Sequence, residues 1–230
     1  MKFLSILEYL YTKACASCSK PVQSHGAFLC PDCYLKLNPR MGPFCIRCGE
    51  KIPRGEICGS CLTKPQFYTG ISIFEYEGSA RKLITSGKYG LKRWVFSSMG
   101  DFLADIASII EWDYIIGVPV TDVAWRKRGF SHTDIVAKRI AANLQRRNRF
   151  LDDCFRKRDS QPQAGLTKSE RLSLTSAAFI QRKSIPQGRI LIIDDVITTG
   201  TTLRAFSKAL KKAGAQDTAF LTFAKTEHTN

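Results

Sequence analysis

Eight of the nine cysteines in this chain lie before residue 62, in four Cys-x-x-Cys pairs: Cys15 and Cys18, Cys30 and Cys33, Cys45 and Cys48, Cys58 and Cys61. Two thiolates three positions apart chelate one ion from a tight knuckle, and two knuckles complete a tetrahedral sulfur site for zinc. The gaps between pairs are short and similar, so two sites can form. We expect pairing in sequence order, Cys15, Cys18, Cys30 and Cys33 in one site and Cys45, Cys48, Cys58 and Cys61 in the other. Spacing alone leaves an interleaved arrangement open. Gly49, just after Cys48, suits a knuckle because glycine tolerates positive φ. With four sulfurs there is no open position for water, so the zinc is expected to be structural. The segment is too short and polar to build a core unaided, and metal supplies its folding free energy.

A disulfide framework is the competing reading, and it requires secretion. The start, MKFLSILEYLYTKACAS, does not read as a signal peptide, because Glu8, Tyr9 and Tyr11 interrupt the apolar core such a peptide needs. An amphipathic helix with Phe3, Leu4, Leu7 and Leu10 on one face is the expectation there. His25 and His228 have no ligand-like spacing, and Cys154 reads as a small core residue.

From about residue 67 the texture changes. Strand-like apolar runs at Gly70 to Tyr76, Tyr114 to Val120, Arg189 to Asp194 and Thr218 to Ala224 alternate with helical patterns at Arg81 to Lys88, Val95 to Ile110, Thr133 to Leu144 and Thr202 to Ala213. The last carries the stripe Leu203, Phe206, Leu210, Ala213 and stops at Gly214. Such alternation implies an α/β domain with a mostly parallel sheet and flanking helices. The expected organisation is a zinc-binding module over 1–66 followed by an α/β domain over 67–230. No apolar run approaches the roughly 20 residues of a membrane span.

Residues 189 to 203, RILIIDDVITTGTTL, run from a buried strand through small residues into a helix. The apolar strand delivers Asp194 and Asp195 to the carboxyl edge of the sheet, where open α/β folds bind ligands. Thr198, Thr199, Gly200, Thr201 and Thr202 offer hydroxyls and backbone N–H groups in front of a helix N-terminus, and Gly200 permits close approach of a phosphate.

This pattern resembles the signature of type I phosphoribosyltransferases, in which the acidic pair contacts ribose hydroxyls and the turn holds the 5-phosphate. Three further segments are similar to the ComF/GntX family: Ile116 to His132 (IGVPVTDVAWRKRGFSH), Phe155 to Phe179 through Gln163, Leu166, Arg171 and Phe179, and Phe74 to Gly78 followed by Leu83, Ile84, Lys88 and Tyr89. Ser131, His132 and Leu174 depart from the family's usual Asn, Gln and Asn. The resemblance implies a phosphoribosyltransferase-type fold that binds phosphoribosyl pyrophosphate with Mg2+. By the same analogy the loop after Pro119 faces pyrophosphate, with Arg126, Lys127 and Arg128 supplying charge. It also implies handling of single-stranded DNA inside the cytoplasm during natural transformation, in contact with DNA-import or recombination proteins. Catalysis on an unidentified nitrogen acceptor is the alternative. The place of the hood that recognises an acceptor in catalytic relatives is expected to be taken by the zinc module.

Composition agrees with a polyanionic partner: 35 Lys and Arg against 20 Asp and Glu leave a net charge of +15. The cations cluster at Arg81–Lys82, Lys92–Arg93, Arg126–Arg128, Lys138–Arg139, 146–149 and 156–158, with Trp94, Trp125, Phe130 and Phe155 among them. Cations neutralise phosphates and exposed aromatics stack unpaired bases, a mixture suited to single strands. Any one of these aromatics is expected to be a core residue, and His132 a hydrogen-bonding loop residue at the surface.

Overall fold

The computed structural model describes residues 13–22, 28–159 and 178–227. The expected start helix, Gln163, Leu166, Arg171, Leu174, His25 and His228 lie outside them.

Residues 13 to 63 form two copies of one small design. In the first, β1 (Lys13–Ala14) and β2 (Pro21–Val22) form a hairpin, and α1 (Pro31–Leu35) follows the second cysteine pair. The second copy has α2 (Gly59–Thr63) in the same place. The backbone repeats bond for bond: Cys15 N–H donates to Lys20 O at 2.7 Å and Ser19 N–H to Cys15 O at 2.8 Å, while Cys45 donates to Glu50 O and Gly49 to Cys45 O, both at 2.8 Å. Ser19 and Gly49 share φ of 63° and 64°, the positive value expected at Gly49.

The two copies depend on different neighbours. Cys15, Ala16, Val22, Leu29 and Leu37 belong to the main hydrophobic core of the chain, whereas the buried core of the second copy is Cys45, Ile52 and Cys61 alone. The first copy thus shares the core of the rest of the chain and the second buries few residues, consistent with a segment too short to hold a core unaided.

The α/β part contains a four-stranded sheet in the order β3 (Thr69–Glu75), β8 (Asp217–Lys225), β7 (Arg189–Ile197), β4 (Tyr114–Gly117), all neighbours parallel. Ile190 to Ile193 are fully buried because β7 is central and covered on both faces, which is why its sequence is a continuous apolar run. One face carries α3 (Gly78–Tyr89), α4 (Arg93–Ser108) and α6 (His132–Asn143); the other carries α7 (Thr201–Lys212) and the hairpin β5 (Phe155–Lys157) with β6 (Phe179–Gln181). Leu203, Phe206 and Leu210 are buried as the α7 stripe predicts, and Cys154 is a core residue.

Two strand ends differ from expectation, and both differences shape a crevice. Strand β4 stops at Gly117, opposite Ile193, because Pro119 follows. Strand β7 continues to Ile197, held by β8 through the pairs Asp194 with Thr222 and Ile197 with Lys225. Residues 194 to 197 thus run past the end of β4. Between β4 and α6 lies a short helix not expected from sequence, α5 (Asp122–Arg128), capped by the Thr121 hydroxyl and ended by Gly129 at φ 73°.

The second copy docks on the sheet at Gly70, whose N–H donates to Ile46 O at 2.8 Å. A Cβ on Gly70 would lie 2.1 Å from Phe220 Cε1 and 2.8 Å from Arg47 O. Gly70→Ala is expected to destabilise the protein by about 2 kcal/mol through this overpacking, read as a lowered thermal midpoint; an unchanged midpoint would contradict the docking. Nearby, Arg40 bonds Glu75 Oε1 at 3.1 Å and Gly49 O at 2.9 Å, and stacks over Phe44.

Candidate functional site

The acidic pair lies toward the end of β7, and one oxygen of each carboxylate and a ring nitrogen of His132 lie within 4.8 Å of one another. Asp195 is 3% exposed and meets Lys88 Nζ of α3 at 2.5 Å, as an ion pair without a well-directed hydrogen bond. His132 Nε2 lies 3.5 Å from its other oxygen, and Arg128 Nη1 is 3.2 Å from His132 Nδ1. Arginine only donates, so Nδ1 accepts and the Nε2–H faces Asp195.

His132 is therefore not a surface loop residue, as expected from sequence. It is the first residue of α6, 6% exposed, with its ring 5.2 Å from that of Phe96. The helix start is pressed onto β4: a Cβ on Gly117 would meet Asp134 Oδ1 at 2.6 Å, and the Thr133 hydroxyl donates to Val118 O at 2.7 Å. Ser131, where the family usually has Asn, caps the helix by accepting from Asp134 N–H.

Burial raises both carboxyls, and their neighbours then separate them. For Asp195 the adjacent His132 and Lys88 outweigh burial and hold it below the usual carboxylate range. Asp194 is pushed up to about 8 by burial and by the charge of Asp195. Lys88 pulls Asp194 back down, and burial pushes the Lys157 amine down while Asp194 pulls it up. Strand β5 reaches there because Thr121 and Lys157 are bridged in parallel. Asp195 is thus tied to Lys88 and His132, while the half-buried Asp194 accepts a hydrogen bond from Asp195 N–H at 2.9 Å.

The turn after β7 has Gly200 at φ 70°, directly before α7. Thr199 and Thr201 hydroxyls lie 2.9 Å apart, and Arg204 folds back to donate to Thr199 O at 2.5 Å. A cation in the first turn of a helix opposes the helix dipole unless an anion shares the site. Arg204 and Lys157 were not singled out for this site from sequence. The first is legible afterwards as a cation four residues past a turn glycine, whereas no local signal marks the second.

Of the three cations assigned to pyrophosphate, Arg128 is brought to the acidic pair through His132. Arg126 lines a different cavity, of about 710 Å³, beside Trp125, Lys138 and Arg156, and Lys127 is exposed on α5. Phe130 and Phe155 are core residues, but Trp125 and Trp94 are exposed.

The eight cysteines gather in sequence order, four sulfurs per group within 4.8 Å of one another. Cys18 Sγ to Cys30 Sγ and Cys48 Sγ to Cys58 Sγ are both 3.7 Å, close to the roughly 3.8 Å edge of a tetrahedron with zinc–sulfur bonds near 2.3 Å and far from a disulfide. Burial raises the Cys15 and Cys58 thiols, but hydrogen bonds, mostly from knuckle backbone at Cys15 and led by the Ser60 hydroxyl at Cys58, outweigh it and bring both down to about 6, whereas burial pushes the Cys33, Cys48 and Cys61 thiols up; a bound metal would hold all of them as thiolates. The donor sets fit structural zinc. Between the second site and the turn after β7 lies a cavity of about 370 Å³, walled by Glu50, Ser60, Cys61 and Lys64 on one side and Thr199, Gly200, Arg204 and Lys225 on the other.

Residues 6–62 match the double zinc ribbon domain family, and residues 103–229 match the phosphoribosyl transferase domain family. Competence protein F of Haemophilus influenzae is 25% identical over 202 residues, covering 82% of this chain and 86% of its own. Competence protein ComFC of Streptococcus pneumoniae is 26% identical over 206 residues, covering 85% and 87%. Among solved structures, Leishmania donovani UMP synthase matches 84% of this chain at 16% identity and a TM-score of 0.37, and the chain spans 29% of that protein's length.

Proposed function

Because the chain belongs to the phosphoribosyl transferase domain family, as a ComF-like member behind a double zinc ribbon, we propose that it binds phosphoribosyl pyrophosphate and single-stranded DNA and supports DNA uptake or processing in natural transformation. We place the boundary between ribbons and transferase-like domain at residues 66 and 67, and the protein in the cytoplasm; no helix among the described residues is long and apolar enough to cross a membrane.

The observation that carries the ligand reading is the joining of one available carboxyl, Asp194, to a glycine turn and helix start that holds Arg204. Asp194 meets the ribose hydroxyls, the turn from Thr198 to Thr202 receives the 5-phosphate, and Arg204 balances its charge. Mg2+ prefers oxygen ligands and is commonly held by one or two carboxylates plus substrate phosphates, so Asp194 is its protein contact, Asp195 being taken by Lys88. When bound, Mg2+ neutralises charge on the pyrophosphate.

A second reading, transfer of ribose phosphate to a nitrogen acceptor with loss of pyrophosphate, is favoured by the 370 Å³ cavity beside the turn. The second ribbon forms one wall, as expected of a hood. Enclosure next to the reacting group orients an acceptor and excludes water.

The test is binding of labelled single-stranded and duplex DNA by the zinc-loaded protein, across salt, with and without phosphoribosyl pyrophosphate and Mg2+. Salt-sensitive binding that prefers single strands is the expected result. Absence of DNA binding would reject the DNA reading in favour of the transferase.

A further inference from the structure

Among the described residues four large aromatics stay exposed although the core takes up most others: Tyr34 at 54% on the first ribbon, and Tyr89 at 70%, Trp94 at 38% and Trp125 at 54% on the α/β domain. Tyr89 ends α3, Trp94 begins α4, and Trp125 lies on α5. The turn and α5 form one surface, because Arg93 lies over the Phe130 ring at 5.4 Å and shares a cavity wall with Trp125 and Arg126.

Charge on this surface is open. Some surface cations are answered by acids: Arg139 by Asp101 and, on the same cavity wall, Lys138 by Asp152, Arg156 by Asp122 and Arg182 by Asp153. Among the described residues no ion pair engages Arg93, Arg126 or Lys127, and residues 78 to 100 contain no Asp or Glu. Open cations interleaved with exposed aromatic planes match an unpaired polynucleotide, whose backbone needs counter-charge and whose bases present free faces; a duplex hides those faces.

We propose that the α3–α4 turn and helix α5 form the track for single-stranded DNA, with Tyr89, Trp94 and Trp125 stacking bases and Arg93, Arg126 and Lys127 meeting phosphates. The proposal rests on the DNA-binding reading above and locates it. The track borders the ligand site at both ends: Lys88, next to Tyr89, and Arg128, next to Lys127, are the residues that reach Asp195 directly or through His132. Strand and ligand binding are therefore coupled, each changing the affinity of the other by the same factor.

The test uses the zinc-loaded full chain with oligodeoxythymidylate, oligouridylate of equal length, duplex DNA and anionic phospholipid vesicles. Trp94→Ala and Trp125→Ala are each expected to weaken oligodeoxythymidylate binding by roughly tenfold, and Arg126→Ala and Lys127→Ala to lower the salt slope by about 0.7 each. Quenching of tryptophan emission by the oligonucleotide should shrink in both tryptophan variants. All four side chains are exposed, and an unchanged melting curve confirms the fold of each. Wild-type binding that the variants leave unchanged would overturn the track while sparing the DNA reading; no wild-type binding would overturn both. Tighter binding of oligouridylate than of oligodeoxythymidylate would overturn DNA as the occupant. Variants that lose vesicle binding alone would assign the surface to membrane and overturn the proposal.

Discussion

Replacing Cys45 by Ser is expected to release one of two zinc ions per chain and to unfold the second ribbon. Its buried core is Cys45, Ile52 and Cys61, so beyond its docking contacts at Gly70 and Arg40 the metal supplies most of its order. Structural zinc contributes about 10 to 16 kcal/mol to small modules of this kind, which rivals the stability of a whole domain. The effect spreads to the neighbouring turn, because the ribbon closes the cavity next to Thr199 and Gly200. Zinc release followed with a metal-sensitive dye, together with the melting curve, gives the answer; retained zinc and an unchanged curve would show that the ribbon stands without metal. Cys15→Ser should behave differently. Its site is part of the main core, so loss of zinc there lowers the stability of the entire chain rather than detaching a module.

The second large effect divides the acidic pair. Asp195→Ala is expected to cost about 3 to 5 kcal/mol, because it leaves Lys88 and Arg128 facing a buried His132 with no anion between them. Asp194→Asn should keep the fold and lose the ligand. The two changes look equivalent in sequence, and denaturant unfolding of each separates them; equal stability would refute the division of roles.

Linkage gives a further signature. The Asp194 carboxyl in the folded protein, at about 8, lies above its unfolded value, so its contribution is present at low pH and is lost as pH rises toward and past 8. Wild-type midpoints should therefore fall as pH rises from about 4 to about 8 and level off above it, and the Asn variant should flatten the fall.

Much of this was legible because the signals were local. Four Cys-x-x-Cys pairs marked their own knuckles, with only the grouping left to the structure, and the continuous apolar run Ile190 to Ile193 marked a buried strand. The turn Thr198 to Thr202 carries its glycine and helix start within a few residues. What sequence hid was long-range. His132 and Lys88 are 44 positions apart, and their meeting at Asp195 depends on α3 and α6 packing on one face of the sheet. The extension of β7 past Asp194 depends on the length of β8, and the charge effect of Asp194 on Lys157 depends on the bridge that places β5 beside Thr121. Trp94 and Trp125 were expected inside because indoles usually are; they lie outside, while Phe96 and Phe130 take the core positions.

The central claim is that the end of β7 and the following turn hold a phosphoribosyl group. Calorimetric titration of phosphoribosyl pyrophosphate with Mg2+ into the wild-type protein and into Asp194→Asn, above pH 8 where Asp194 ionises, tests it most directly. The account predicts wild-type binding that falls at least about tenfold in the variant, the worth of a hydrogen bond to a charged group, with the melting curve retained. Equal affinity in the two proteins, or no heat in either, would contradict it.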